Sequence, residues 1–452
     1  MAIIPQPELF SWKQIEAASD LDRLRMVLNA MPDETLMRAL EVERSRGRDD
    51  YPVRAVWNSV LAAIVFEHKS MESLRRELSR NAELRELCGF DAYKGREAVP
   101  SPWAYTRFLQ NLFDHQELIA AMFDELVETL RALLPDFAER LAIDSKAIDS
   151  HGNPTKEDEH DARRDMDADW GTKRYHGVRK DGSLWEKVKS WFGYKLHLIV
   201  DADYELPVAY KVTKASASDC PELLPMVDQL DQAHPGLLDA TQFLSGDKGY
   251  DSEDNNRELW DTYGVKPVID IRSTWKEEPH LPRQLNPEKV DTIFFTENGE
   301  VCCRCRGDQT QERDNYSPMA FEGFEADRES LKYRCPAIAK GVDCTQRDLC
   351  NGGCHTGHGR IVRVPLETNR RIFTPQARDS KTWKNEYKHR TSVERVNGRI
   401  GQSFGFDQHF IRGLKKMRLR CGLALVVMLA MAVGRIQANQ EKLLRSLVKP
   451  AA

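Results

Sequence analysis

Three acidic residues stand where secondary structure presents a carboxylate to a ligand. Asp144 closes an apolar stretch in LAIDSKAIDS, Asp247 follows another in FLSGDKGYDS, and Glu394 opens a helical stretch in YKHRTSVERVNGRIG. All three fall at the ends of expected elements, which is where α/β sheets bind their ligands. Phosphodiester chemistry needs hard divalent cations, which prefer oxygen ligands. Two such ions roughly 3.5 to 4 Å apart stabilise both the attacking and the leaving oxygen, so three carboxylates from distant parts of the chain could serve that chemistry. Taken singly, each acid has an ordinary reading. Asp144 could end a strand in a turn, Asp247 in Asp-Lys-Gly could be a turn residue, and Thr391 with Glu394 spells a capping box. Because the chain holds 71 acidic residues, only joint setting can sort these readings.

A second group is built from sulfur. Seven of the ten cysteines lie between Cys302 and Cys354, and disulfides are not expected in a reducing compartment. Cys302, Cys303 and Cys305 form one group, Cys335, Cys344, Cys350 and Cys354 another, with His355 and His358 following. Tetrahedral zinc takes four such ligands. A subset of Cys303, Cys305, Cys335, Cys344, Cys350 and Cys354 could hold a structural Zn2+, and reduced, unligated thiols are the other reading.

The elements that must position these groups follow from periodicity. Val53, Val56, Trp57, Val60, Leu61 and Ile64 mark an amphipathic helix with one stripe toward a core. Ser70 caps a helix carrying Leu74 and Leu78, the next helix stops at Cys88 and Gly89, and Ser101 with Pro102 starts another. Residues 1–136 therefore read as an all-helical domain, a scaffold or a DNA-binding unit. After Pro135, Leu141 to Ile148, Phe192 to Val200 and Glu205 to Thr213 read as strands, and the charged stretch His151 to Gly177 reads as a loop. Lys195 and His197 alternate along the second strand, pointing to solvent from a sheet edge. A helix around Cys220 to Gln232, a strand at Phe243 to Asp247, a helix from Ser252 and a strand at Val265 to Ile271 restore α/β alternation. Regularity fails from Arg272 to Leu366, and helical periodicity returns from Lys388 to about Ala438.

Net charge is -5, yet the segment Arg360 to Ala452 carries 20 lysines and arginines against six acids, while the remainder carries 46 against 65. A localised basic segment is the footprint of phosphate binding, and Arg412, Lys415, Lys416, Arg418 and Arg420 are its densest part. The longest uncharged apolar run, Cys421 to Gly434, is shorter than the roughly 18 residues a membrane span needs. It reads as a buried core helix. No signal peptide opens the chain, so a cytoplasmic protein without a membrane partner is expected.

In these segments the chain resembles the DDE transposases of bacterial insertion sequences, in the group with a Y-x2-R-x3-E-x6-K signature around the third acid. GFDAY, PSPWAYTRFLQNLF, LAIDSKAIDS, DADW, WFGYKLHLIVD, GDKGYDS, PVIDIR and HRTSVERVNGRI carry the resemblance, which covers most of the chain. It implies an α/β, RNase H-like mixed sheet flanked by helices, with an all-helical N-terminal domain and a Cys-rich insertion. It also implies Asp144, Asp247 and Glu394 as a triad for two Mg2+ ions, replaceable by Mn2+. Tyr387 and Arg390 match the first two signature positions, which in the family contact transposon-end DNA. Gly401 stands where the signature has lysine, so Arg399 or one of Arg412, Lys415, Lys416, Arg418 and Arg420 is expected to supply that charge.

The division expected is 1–136 helical, 137–271 first part of the core, 272–366 Cys-rich insertion, 367–438 C-terminal core helices with Glu394, and 439–452 tail. The activity implied is cleavage at transposon ends and transfer of the 3'-hydroxyl into target DNA. The resemblance also implies double-stranded DNA as the partner, a multimer on that DNA, and a place in the bacterial nucleoid. A nuclease without strand transfer and a non-catalytic DNA-binding zinc protein are the alternatives.

Overall fold

The computed structural model describes residues 20–44, 51–152, 165–179, 183–275, 281–288, 292–305, 315–341 and 359–446. Among these the chain opens with α1 (Asp20–Ala30), α2 (Glu34–Arg44), α3 (Val53–Val65), α4 (Met71–Arg80), α5 (Ala82–Cys88), α6 (Pro102–Leu112) and α7 (Gln116–Leu133). Ser70 Oγ accepts from the Ser73 amide at 3.2 Å and Ser101 Oγ from the Ala104 amide at 3.2 Å. Each such cap contributes about 1 kcal/mol. The helix stop at Cys88 is a left-handed Gly89. The expected single stripe of α3 is an underestimate: Ala55, Ser59, Ala62 and Ala63 are buried as well. Neighbouring helices surround α3, so its small residues also lie against packed surface.

The sheet contains β1 (Arg140–Asp149), β2 (Asp169–Val178), β3 (Leu184–Asp201), β4 (Leu206–Lys214), β5 (Phe243–Gly246) and β6 (Lys266–Ile269). Its order is β4-β3-β1-β5-β6, with β1, β5 and β6 parallel and β3 antiparallel to β1. Only the second half of β3, from Gly193, pairs with β1. Its first half pairs with β2 as a two-stranded ribbon. This corrects the loop expected from His151 to Gly177, which contains β2. Polar residues line both faces of the ribbon, so no apolar alternation marks it as a strand.

Between β4 and β6 come α8 (Leu223–Ala233) and α9 (Glu253–Asp261), restoring the expected alternation. The stretch from Arg272 onward is more ordered than its sequence suggests. It holds β7 (Arg283–Gln284), β8 (Ile293–Phe295), β9 (Val301–Cys305) and β10 (Asn315–Pro318) in one small sheet. A second contains β11 (Ala320–Glu325), β12 (Ser330–Arg334) and β13 (Ile361–Pro365), with the short α10 (Pro336–Lys340) between β12 and β13. Ile293, Leu331, Tyr333, Val364 and Phe373 belong to a core separate from the main one. Strands this short carry too few residues for a period of two to stand out.

The chain ends with α11 (Lys381–Glu386), α12 (Thr391–Gln402) and α13 (Leu414–Gln437). α13 packs against α7, α1, α3 and β4, so the N-terminal helices and the sheet share one hydrophobic core. By length and composition α13 could cross a membrane, but 94% of its apolar window is buried within the protein. It is a core helix, as its sequence suggests.

Candidate functional site

β1 and β5 run parallel with Ile143 paired to Gly246, so Asp144 and Asp247 are the next residues along two neighbouring strands. Ladder spacing puts their backbones about 5 Å apart. Asp247 leaves its strand as the cap of a short 3-10 turn, its Oδ1 accepting from the Gly249 amide at 2.7 Å. The turn reading of Asp247 is therefore true of one carboxylate oxygen. A Cβ at 249 would lie 2.7 Å from that oxygen, so a larger residue there would displace the Asp247 carboxylate.

Glu394 lies in the first turn of α12, which packs on β1 and β3. Asn397, one turn further along, donates from Nδ2 to Asp144 Oδ2 at 3.2 Å and so ties this helix to the first acid. The capping-box reading of Glu394 does not hold. Thr391 donates its hydroxyl to the Lys388 carbonyl, and Glu394 Oε1 accepts from Arg390 Nη1 at 2.6 Å. Ahead of α12, Trp383 packs with Phe243 and Val268, with Tyr387 against the same cluster. The Tyr387 and Trp383 rings stack at 4.8 Å and 10°, and the Arg390 guanidinium sits 5.5 Å from the Tyr387 ring. Both signature residues are thus brought to the β5 side of the site.

Burial pushes the Asp144 carboxyl up to about 6, the Lys173 charge opposes that shift, and the nearby Asp247 and Asp219 charges add to it. Like charges gathered in a poorly solvated place are relieved by a cation or a proton. Lys173 and Asp219 were not singled out from sequence. Lys173 lay in the stretch read as loop, where its Nζ now reaches the Ser145 carbonyl at 3.4 Å. Asp219 holds Lys195 at 2.8 Å. Lys195 and His197 do not point to solvent, which corrects that expectation. β4 covers the outer side of β3, leaving Lys195 8% and His197 0% exposed. His197 Nε2 meets Thr213 Oγ1 at 2.9 Å, and burial lowers its pKa to about 4.

Among the described residues no three His, Cys, Asp or Glu side chains are grouped so as to hold a metal ion. Asp144 and Asp247 are neighbours, whereas Glu394 is turned to Arg390. The donor set fits hard divalent cations, since it consists of carboxylate oxygens with a neutral amide behind one of them.

The basic residues separate by partner. Arg399 donates to Glu205 Oε2 at 2.8 Å, and Arg395 holds the other oxygen of this buried acid at 2.7 Å. Arg420 donates to the Phe404 carbonyl at 2.6 Å, and burial lowers its pKa to about 10. Arg418 is exposed, and two residues correspond to about 200° around a helix, so Arg420 turns inward. Lys415, exposed, pairs with Asp114 at 3.3 Å, Lys416 is exposed and Arg412 is half-buried. The ammonium beside Gly401 belongs to none of the expected residues. It is that of Lys146, two residues beyond Asp144, which pairs with Asp407 at 3.3 Å. Strand alternation puts residues 144 and 146 on one face, a signal present in LAIDSKAIDS.

Cys344, Cys350 and Cys354, with His355 and His358, lie outside the described residues. Cys303 and Cys305 are on β9, while Cys335 follows β12.

A family description, the Transposase DDE domain, matches residues 135–430, more than half of the chain. The protein belongs to this family of transposases. It is 37% identical over 87 residues to a putative transposase for insertion sequence element IS402 from Burkholderia cepacia, covering 18% of this chain and 39% of that relative. The cryo-EM structure of a piggyBac transposase synaptic complex with hairpin DNA aligns over 97% of this chain and 81% of its own. That alignment has 12% identity and a TM-score of 0.38.

Proposed function

We propose that this protein cuts DNA at the ends of a mobile element and joins the freed 3'-hydroxyl to target DNA, using Asp144, Asp247 and Glu394 on an RNase H-like core. One observation carries the reading most directly: Asp144 on β1 and Asp247 just past the end of the parallel β5 are neighbours, and Asn397 ties Asp144 to the helix that bears Glu394. The sheet order β4-β3-β1-β5-β6, with β3 antiparallel, supports the fold assignment. Membership of the DDE family supports dependence on divalent metal. We assign that metal as two Mg2+ ions, with Mn2+ as a substitute, and DNA as the partner of a multimeric protein in the bacterial nucleoid. We keep the division at 136, 271, 366 and 438, with a helical first domain and structural zinc in the Cys-rich insertion.

When bound, the ions supply Lewis acidity at the scissile phosphate and lower the pKa of an attacking water or 3'-hydroxyl. The chain supplies placement. Asp144 and Asp247 hold fixed positions on the sheet, Asn397 orients one oxygen of Asp144, and the Asp247 turn fixes one of its own. To hold an ion, Glu394 would have to turn from Arg390, and the Arg390 guanidinium would then be free for a phosphate of the DNA. Lys146 and Lys173 bring positive charge close to Asp144 from two strands.

Purified Asp247→Ala protein tests the proposal. Cleavage of end-containing DNA should be lost while DNA binding is kept, and wild-type cleavage by the variant would refute the assignment. Pre-cut ends incubated with plasmid separate the transposase from a plain nuclease, because only the former gives joined product.

A further inference from the structure

The ribbon of β2 and the first half of β3 extends beyond the sheet, and residues 183–190 are all exposed. Ten residue pairs make it about 30 Å long at ordinary strand rise. Its two faces are built differently. On one, Arg174 pairs with Glu186 at 3.6 Å, Thr172 meets Ser190 at 3.4 Å, and Trp170 packs on Phe192 with centroids 5.7 Å apart. That face answers its own charges.

The other face does not. Lys173 stands directly opposite Lys189, and Lys187 is the next residue on that side of β3. Like charges placed opposite each other destabilise a strand pair. Positions 171, 177, 185 and 191 on this face hold only glycine and tryptophan. Gly171 and Gly177 are the floor on which Trp191 and Trp185 lie: a Cβ on either would come within 2.4 Å of the facing indole. The ribbon is thereby fixed in register, with its lysines in a row between two tryptophans. The row is continuous with the candidate site, since Lys173 reaches the carbonyl next to Asp144.

We infer that the lysine face of this ribbon is a DNA-binding arm, with Lys187 and Lys189 contacting the phosphates of duplex DNA that leads away from Asp144. The occupant follows from charge. Among the described residues no acid pairs with Lys187 or Lys189; such a face fits a polyanion, and a two-stranded ribbon has dimensions that a major groove admits. The inference rests on the proposed DNA chemistry, but its test does not depend on cleavage.

The double variant Lys187→Gln, Lys189→Gln is compared with wild type on a long mixed-sequence duplex, by fluorescence anisotropy over a range of salt concentrations. Each phosphate contact contributes about 0.9 to the slope of log affinity against log salt, so the variant should lose about two from that slope. Lys187→Arg, Lys189→Arg should keep it. A variant that unfolds at the wild-type temperature but has the wild-type slope overturns the arm. So does one that keeps the slope yet changes oligomeric state in light scattering, because the face then contacts a second copy of the chain. If Asp247→Ala stops cleavage while the slope is unmoved, the arm fails and the transposase stands. If the slope falls while Asp247→Ala still cleaves, the arm stands and the triad fails.

Discussion

A Cβ built on Gly401 would lie 2.7 Å from the ammonium nitrogen of Lys146. The helix position that carries lysine in the family signature is here left empty of side chain, and a lysine from the strand bearing Asp144 fills the space. Arg399 is committed to Glu205 and Arg420 to the Phe404 carbonyl, so Lys146 is the better replacement. Its ion-pair partner among the described residues, Asp407, is 57% exposed at the side chain, and such an ion pair is easily exchanged for a phosphate. We predict that Lys146→Ala lowers cleavage of end-containing DNA about tenfold, the effect of roughly 1.4 kcal/mol, with Lys146→Arg near wild type. Adding Gly401→Lys to Lys146→Ala should restore part of the loss, the flexible Asp407 side chain giving way. Wild-type cleavage by Lys146→Ala would remove Lys146 from the site.

Asn397 offers a measurement directed at the metal. It donates to Asp144 Oδ2 and is 8% exposed, so it orients a ligand without being one. Loss of such an orienting hydrogen bond costs about 10- to 100-fold in metal affinity. Asn397→Ala should need correspondingly more Mg2+ to reach half-maximal cleavage, while affinity for DNA without added metal stays at the wild-type value. An unchanged Mg2+ requirement would mean that the bond only fastens α12 to β1.

Much of this site could be read from the chain because its parts are local. Asp144 and Asp247 end apolar runs, and β1 and β5 follow from those runs, but only Asp247 lies at a strand end, since β1 continues past Asp144 to Asp149. The β4-β3-β1-β5-β6 order could not be read this way, because pairing between distant strands leaves no mark on either one. β2 was missed because a ribbon wet on both sides has no apolar alternation, and Lys173 was lost with it. His197 and Lys195 were placed on an edge because β4, which buries them, was not assigned as their neighbour. Arg399 and Arg420 show the same limit for charge: composition counts a guanidinium, but whether it meets water or Glu205 depends on the fold.

Asp251, four residues beyond Asp247, connects the site to the chain that follows the small sheets. Its side chain is fully buried, with Arg371 at 2.7 Å, Arg378 at 3.9 Å and the Arg272 amide at 2.8 Å. Removing one partner of such a group leaves buried charge uncompensated, at a cost of about 3 to 5 kcal/mol. Asp251→Asn should therefore lower the thermal midpoint by about 3 to 5 °C. Arg371→Ala should do less, because Arg378 stays. Equal, negligible shifts for both would show that water already screens this cluster.

His234, just after α8, is 1% exposed and faces two acids of α7, with Glu128 Oε1 at 2.6 Å from Nδ1 and Asp124 at 3.5 Å from Nε2. Burial by itself would lower its pKa, but the hydrogen bonds and charges of Asp124 and Glu128 outweigh it, and the net shift is upward from 6.5. The folded protein thus holds this proton more tightly than the unfolded chain. The resulting stabilisation is fully present below about pH 6.5 and is lost as pH rises through the folded value. Since the contact fastens α7 to the sheet layer, the loss should appear as unfolding of the whole shared core. His234→Gln should remove about 2 kcal/mol at pH 6, a loss typical of hydrogen bonds to a charged group, and much less at pH 9. Urea midpoints at the two pH values check this. A difference between variant and wild type that is as large at pH 9 as at pH 6 would show that the neutral ring, through packing alone, provides the contact.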